Sequence, residues 1–359
     1  MATFDVLLPV KNCIRFLRES IDSICAQSCS DWRLFVLDHG STDGSLEQAQ
    51  AYARHDKRIL VLQVPSAASF SNLLNYGLEH CDSKYVIRQD ADDVSRPRRM
   101  DMLASAFEAF EDTVLIGSQA RIIDQHGSAI GSTNLPVGMA ALKASVFFKI
   151  PVLHPSAAMR LSALRRLRAR YGEDFIKALP AQSRLTVPSL AEDYFLFGQL
   201  ALVGQCRNLD AQLLEYRWHG ANVSATKSLE QLHYALAISR NLARTFSAMH
   251  GLPAFDPAPF CNHGDMLFNF PSDRDFRSGF LSMKNILTKA LPNSLELQRD
   301  LSFRKVVSDR RSLAMTANYL HHASQHGGNR SEWRTVKSWL LRNVRNREFL
   351  TVTGQLDAI

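Results

Sequence analysis

Four short apolar runs in the first ninety residues each lead into polar residues and then a helical pattern. That alternation limits what the chain can fold into. The runs are Phe4 to Pro9, Leu34 to Leu37, Ile59 to Val64 and Lys84 to Arg88. Between them, Ile14, Leu17, Ile21 and Ile24 repeat at helical spacing, and residues 46–53 and 70–80 read as further helices. Strands alternating with helices predict an α/β fold with a mostly parallel sheet and right-handed crossovers. Ligands of such sheets sit at the carboxyl ends of the strands. Two polar clusters fall at such ends, Asp38 to Ser45 and Asp90 to Asp93.

The rest of the chain reads differently. After about residue 226 the strand signals fade and helical stretches dominate, which predicts a domain over 1–225 and a helical region over 226–359. A length of 359 residues suits about two domains. With 46% hydrophobic and 21% charged residues, composition excludes wholesale disorder, collagen-like repeats and coiled coil. No run is long and apolar enough to span a membrane, and Met1 to Asp5 carries no secretory signature. Six scattered cysteines read as reduced thiols, so a cytoplasmic protein is expected.

The net charge of +7 is uneven, with ten Lys and Arg against four Asp and Glu after residue 300. A near-neutral body argues against a nucleic-acid partner and puts the basic surface at the C-terminus. There Trp333, Val336, Leu340 and Val344, with Trp339 adjoining, form an apolar stripe on a basic amphipathic helix near 332–348. That helix either docks on an anionic membrane at its cytoplasmic face or packs its stripe against the catalytic domain. His321, His322 and His326 read as surface residues.

Four constellations carry chemistry. Asp90, Asp92 and Asp93 crowd three carboxylates at a strand end, which is costly unless a cation is held there. Hard oxygen ligands suit Mg²⁺ or Mn²⁺, and such an ion suits a diphosphate; the plain alternative is a solvated acidic turn. Asp38 to Ser45 can cap its following helix through Ser41, Thr42 or Asp43, or hold a nucleoside. Glu192-Asp193 opens a helix, where acidic charge is favourable, and either could serve as a general base. Arg217 and His219, in Tyr216 to Gly220, can bind a diphosphate or a metal, or simply end a strand. His154-Pro155-Ser156 is a loop element with no chemical signature of its own.

Taken in order, these elements resemble glycosyltransferase family 2, the inverting GT-A enzymes, and most closely members that build lipopolysaccharide, O-antigen and capsule glycans. The resemblance rests on Val6 to Asn12, Ser23 to Ser28, Asp38 to Asp43, Leu74 to Leu78, and Asp90 to Asp93 with Pro97 and Arg99. It continues through His154 to Ser156 with Arg160, Ala191 to Tyr194, and Tyr216 to His219, and so covers residues 4 to 224.

The resemblance implies a GT-A nucleotide-diphospho-sugar transferase fold with an α-helical C-terminal region. It implies a nucleotide-sugar pocket from Pro9, Asn12, Asp38, His39, Ser41, Arg88, Asp90 and Arg217. Asp92, Asp93 and His219 would hold Mn²⁺ or Mg²⁺, and Asp193, with Glu192 beside it, would deprotonate the acceptor. His154 and Arg160 would lie on the acceptor side. An ordinary aspartate pKa of about 3.9 would keep Asp193 ionised near neutrality. The partners implied are a nucleotide-sugar donor and a glycan or lipid-linked acceptor. A non-catalytic GT-A module that only binds such ligands is the rival from another class. Two departures fall at the base-binding end: His39 replaces the family's second Asp, and Lys11 replaces an aromatic. UDP is the family-like base, with GDP-, dTDP- and CMP-linked donors left open.

Overall fold

The structure, a computed structural model, describes residues 2–220, 227–261 and 275–345. The expected boundary near residue 226 and the sequence after 345 lie outside the described residues. By internal contacts the chain divides into two units. The first comprises 1–139, 150–175 and 186–228; the second takes 140–149 and 176–185 together with 229–359. Two segments from the first half of the chain thus belong to the helical unit, which a boundary placed on sequence composition does not reveal.

The first unit opens with β1 (Phe4–Val10), α1 (Ile14–Cys25), β2 (Trp32–Asp38), α2 (Ser45–His55), β3 (Ile59–Gln63), α3 (Phe70–His80) and β4 (Tyr85–Arg88). These are the expected elements, within a residue or two. There follow β5 (Val94–Ser95), α4 (Arg99–Ala109), β6 (Thr113–Ile123), β7 (Ala129–Ser132), β8 (Ala158–Arg160), α6 (Leu161–Leu167), α7 (Glu192–Val203) and β9 (Gln205–Arg217), while α5 (Met139–Ser145), between β7 and β8 in the chain, falls in the second unit from its second residue onward. The sheet runs β3-β2-β1-β4-β8-β6-β9-β5, with β7 paired to β6. From β3 to β4 every pairing is parallel, as expected. Beyond β4 the sheet is mixed: β8 is antiparallel to both β4 and β6, while β6 and β9 are parallel.

All seven residues of β1 are buried, so its apolar run reflects a strand covered on both faces. From β1 the chain leaves toward β2 and β3, then returns to β4 on the other side. The loops after β1 and β4 diverge at this switch point and open a crevice at their carboxyl ends. The core beneath is built by Val6, Leu8, Leu17, Ile21, Ile24, Val36, Ile87 and Phe107 among others.

The helix α1 also buries polar residues, Ser20 and Ser23, and the loop after β4 explains why. Ser20 Oγ donates to the Asp90 carbonyl (2.8 Å), and Ser23 Oγ accepts the Ser95 amide (3.0 Å). Gln27, just past the helix, donates to the Arg96 carbonyl (2.9 Å) and accepts the Met100 amide (3.1 Å). The Ser23…Gln27 spacing is thus a helical ladder that fixes the acidic loop and its sequel.

The second unit contains α8 (Ser228–His250), α9 (Arg277–Ala290), α10 (Leu295–Ser308), α11 (Ser312–His326) and α12 (Arg330–Arg345). Within it the stripe of α12 is a packing face. Val336 and Trp339 are buried, and the Arg310 guanidinium lies 4.2 Å from the Trp339 ring centroid. Trp333 stays 45% exposed, against the Tyr319 ring. The surface expectation fails for His322, which is fully buried between Ser302 (3.0 Å) and Glu332 (3.4 Å). Its neighbours gave it a polar context in sequence, but Ser302 and Glu332 supply its partners from other helices, and Arg299 pairs with that same Glu332 (2.6 Å). No helix among the described residues is long and apolar enough to cross a membrane.

The opposite end of the sheet is held by one buried acid. Asp5, fully buried in β1, accepts Arg33 through both oxygens (2.8 and 2.9 Å) and the amides of Asp82 (2.8 Å) and Ser83 (3.0 Å). Burial works to raise its pKa, but Arg33, Ser83 and the two amides together hold it below the ordinary value. A carboxylate with a depressed folded-state pKa stabilises above its unfolded pKa, and that contribution is lost as pH falls through the folded value. Asp5→Ala is expected to cost roughly 3–5 kcal/mol, because it leaves a guanidinium and two amides without their acceptor. Urea unfolding at pH 7 measures this, and the gap to wild type should narrow toward pH 2.

Candidate active site

The polar loops of the crevice are held by reciprocal bonds. Asn12, at φ 53°, accepts the Thr42 amide on Oδ1 (2.8 Å), and its own amide donates to Ser41 Oγ (3.1 Å). The N-terminus of α1 has no cap from its own side chains. Ser45 Oγ accepts the Cys13 amide (2.9 Å) and Asp43 Oδ2 the Ile14 amide (2.9 Å). The polar cluster therefore caps the preceding helix, whereas its own helix starts from Gly44 (φ 96°) with no side-chain cap, and of that helix's amides Asp43 Oδ1 accepts only the one of Ser45 (3.0 Å), a correction to its reading as a local cap. Asp38 is buried and accepts the amides of Gly40 (3.0 Å) and Ser41 (3.2 Å), so it shapes the turn rather than presenting a free carboxylate to a base. His39 is part-exposed, and its Nδ1 lies 3.0 Å from the Val64 carbonyl. Pro9 is buried within β1, and Lys11 is exposed at its end.

After β4 the three expected carboxylates converge. Each of Asp90, Asp92 and Asp93 offers an oxygen, and these lie within 4.8 Å of one another. Burial, then Asp90, raises the pKa of Asp92; burial, then Asp90 and Asp92, raises that of Asp93 well above the ordinary value. Asp93 Oδ1 accepts the Arg217 amide (2.7 Å), while its Oδ2 is buried without a hydrogen-bond partner. A buried oxygen lacking a donor, in a cluster of hard oxygen atoms, fits a divalent cation such as Mg²⁺ or Mn²⁺. His219 Nε2 lies 2.9 Å from Asp92 Oδ2, and its ring stacks on Phe16.

The arginines do other work than expected. Arg217 is 2% exposed and donates to the carbonyls of Asp92 (2.8 Å) and Asp124 (3.3 Å) and to Glu19 (2.5 Å). It braces the acidic loop from β9, a correction to its expected contact with a diphosphate. Arg88, 1% exposed, donates through Nη2 to Asp90 Oδ1 (2.6 Å) and through Nε to His154 Nε2 (3.2 Å). It is a strut within the site rather than a ligand to the donor. Arg99 is also buried; it ties Gln89 (2.9 Å) and Ser95 (2.8 Å) to the carbonyls of Arg88 (2.9 Å) and Pro155 (2.7 Å). Burial lowers its pKa to about 9. Arg160 is misassigned to the acceptor side. It pairs with Tyr85 at the start of β4, opposite the site end, and its guanidinium is taken up by the carbonyls of Thr113 (3.0 Å) and Phe107 (2.9 Å).

A second cluster faces Arg88. His154, Glu192 and Asp193 bring ligand-type atoms within 4.8 Å of one another. Two successive non-glycine residues in the left-handed region, Leu190 (φ 63°) and Ala191 (φ 68°), turn the chain into α7 and deliver both acids. Burial, then the charge of Asp193, raises Glu192 to about 8; burial raises Asp193 to about 6, with Asp90 adding to it. Asp193 is thus more basic than its type suggests, a correction to the expected value near 3.9. Tyr171 was missed from sequence; it is buried, with its hydroxyl 3.3 Å from His154 Nε2. No motif marks it, because its place is set by Asn75, which bonds its amide (2.8 Å) and carbonyl (3.0 Å).

Known proteins resemble this chain in the sequence of its first half and in fold. The family described as Glycosyl transferase family 2 matches over residues 5–168. EpsE of Bacillus subtilis (strain 168), provisionally assigned as a glycosyltransferase, is 34% identical over 45% of this chain, which spans 58% of EpsE's length. The O-antigen biosynthesis glycosyltransferase WbnJ of Escherichia coli is 26% identical over 62% of this chain and 82% of its own. The structure of S. aureus TarS 1-349 in complex with UDP-GlcNAc superposes with a TM-score of 0.53 at 13% identity, covering 97% of this chain and 93% of that one. At that identity the likeness is one of fold, and the fold is GT-A with a helical C-terminal region. Over residues 5–168 the chain is similar to glycosyltransferase family 2, and the crevice and both acid clusters described above lie in the unit that contains most of this stretch.

Proposed function

We propose that this chain is a metal-dependent, inverting glycosyltransferase that moves a sugar from a nucleotide-diphosphate donor to a hydroxyl of a glycan or lipid-linked acceptor. The names of EpsE and WbnJ support glycosyl transfer, and that of WbnJ supports bacterial surface polysaccharide as its setting. One observation carries the reading: a single guanidinium, that of Arg88, joins a carboxylate cluster suited to a cation to a second cluster holding a raised carboxylate.

The chemistry follows from the two clusters. Asp92, with Asp90, Asp93 and His219, would hold Mn²⁺ or Mg²⁺, which when bound neutralises charge on a diphosphate leaving group. Asp193, ionised above about pH 6, accepts the proton of the acceptor hydroxyl as that oxygen bonds to the anomeric carbon. The carbon–oxygen bond to the diphosphate breaks on the opposite face, its electron pair leaves with the phosphate, and the configuration inverts. A sugar hydroxyl is too weak an acid to ionise beforehand, so proton transfer accompanies attack and positioning decides the rate.

His39 bears on the nucleobase. A carbonyl can only accept, so the His39 Nδ1 facing the Val64 oxygen carries the proton, and neutral His39 keeps its lone pair on Nε2. A ring acceptor suits bases with a ring N–H, which are uracil, thymine and guanine. Cytosine presents a lone pair there and does not match. UDP-, dTDP- and GDP-sugars are therefore favoured over CMP-sugars.

Two outcomes are expected. Asp193→Asn should fold, bind nucleotide diphosphate and lose transfer by about 10²-fold or more, with kcat/KM of wild type falling below about pH 6 as Asp193 takes up a proton. Burial sets this limb first, with the Tyr194 amide and Arg88 working to lower it and Asp90 to raise it, and Glu192 and His154 face the same carboxylate. Full transfer by the variant would remove Asp193 as the base. In a nucleotide-sugar hydrolysis panel with Mn²⁺, turnover should appear with a uridine, thymidine or guanosine donor, be abolished by a chelator, and be absent with CMP-linked sugars.

A further inference from the structure

His154 stands between the two clusters, and its ring nitrogens face chemically different partners. Nε2 receives the Arg88 Nε–H at 3.2 Å, and a guanidinium has no acceptor to offer in return. The Tyr171 hydroxyl approaches the same nitrogen at 3.3 Å and can donate to it. Nε2 must therefore bear the lone pair, because a proton there would set N–H against N–H in a site where the side chain is only 12% exposed. The one proton of the neutral ring then lies on Nδ1, which is 3.5 Å from Asp193 Oδ2 and 3.9 Å from Glu192 Oε1.

The other oxygen of Asp193 is already fixed, since Oδ1 accepts the Tyr194 amide at 2.8 Å. We propose that Arg88 locks His154 as the neutral Nδ1–H tautomer and that His154 thereby positions the Asp193 carboxylate. With Oδ1 held by the Tyr194 amide and Oδ2 facing the Nδ1–H at 3.5 Å, the carboxylate is oriented from both sides rather than swinging about the side-chain bond. The rings of Tyr171 and Phe197, each 5.6 Å from the imidazole centroid, hold the ring plane. Burial, then the charge of Arg88, keeps His154 from charging near neutrality, so it does not compete with the acceptor hydroxyl as a proton source. His154 is a positioning residue in this account, acting only through Asp193. Because the same guanidinium grips Asp90 Oδ1 at 2.6 Å, the aim of the base is tied to the acidic loop.

The inference rests on the proposed function only for its kinetic arm. In full-length protein labelled with ¹⁵N-histidine, long-range ¹H–¹⁵N spectra report the tautomer of each ring, and His154→Asn identifies the His154 signals by their loss. A protonated Nδ1 and bare Nε2, unchanged from pH 6 to 8, are expected; an Nε2–H tautomer or an imidazolium at pH 7 overturns the proposal. In the kinetic arm, asparagine places an amide where Nδ1 lies and glutamine where Nε2 lies. His154→Asn should retain kcat roughly ten- to a hundredfold above His154→Gln, with donor KM little changed in both. Equal kcat values would remove the positioning role. An inactive wild type with the expected tautomer would count against the transferase reading alone, while an active wild type with the other tautomer would count against this inference alone.

Discussion

The architecture of the site depends on buried guanidinium groups that bind backbone and carboxylate together. Arg88 spans from Asp90 to His154, Arg99 from Gln89 to Pro155, and Arg217 from Glu19 to the Asp92 carbonyl. Each is at most 2% exposed. A charge that deep is costly unless most of its donors are met, so each arginine gathers acceptors from several loops, Arg99 Nε alone of these having none among the described residues. Loops that would otherwise be the mobile part of an α/β fold become the rigid part. Three carboxylates that repel one another at Asp90 to Asp93 are thereby kept close, which a solvated acidic turn could not do.

The parallel half of the fold was legible because burial leaves a direct mark on sequence. Strand β1, covered on both faces, appears as an uninterrupted apolar run, and α1 shows its buried face as Leu17, Ile21 and Ile24. The mixed half was less legible. β8 has only three residues and takes its direction from β4 and β6, so no local period marks it. The entry of Ala140–Lys149 into the helical unit is a tertiary fact of the same kind.

The site residues divide along the same line. Asp90, Asp92 and Asp93 declare themselves by crowding, and the structure does bring them together. Glu192-Asp193 reads locally as favourable charge at a helix start, and nothing local shows that His154 comes within 3.5 Å of Asp193 or that Arg88 bonds that histidine. Arg160 and His154 are near in sequence, yet β8 carries Arg160 to the far end of the sheet while the turn before it leaves His154 at the site. Arginine is the hardest type to assign, since a sequence shows its charge but not whether water or backbone receives it. The stripe of α12 shows the same ambiguity for apolar residues: Val336 and Trp339 fit either a membrane or the catalytic domain, and in the structure both are buried within the second unit.

The two acids that open α7 acquire different roles from their surroundings. Glu192, raised to about 8, keeps its proton at neutral pH, while Asp193, at about 6, has largely lost its own. The pair then carries about one negative charge, and Arg88, whose guanidinium is bonded to Asp90, lowers the cost of that charge only at longer range. If His154 were charged as well, the base would be neutralised by a partner able to hand it a proton. If both acids were ionised, the helix start would hold two buried charges against one guanidinium. Between those states lies one arrangement with a neutral imidazole, a neutral glutamic acid and a single ionised aspartate, and the contacts of Arg88 with His154 and Asp90 are those that favour it.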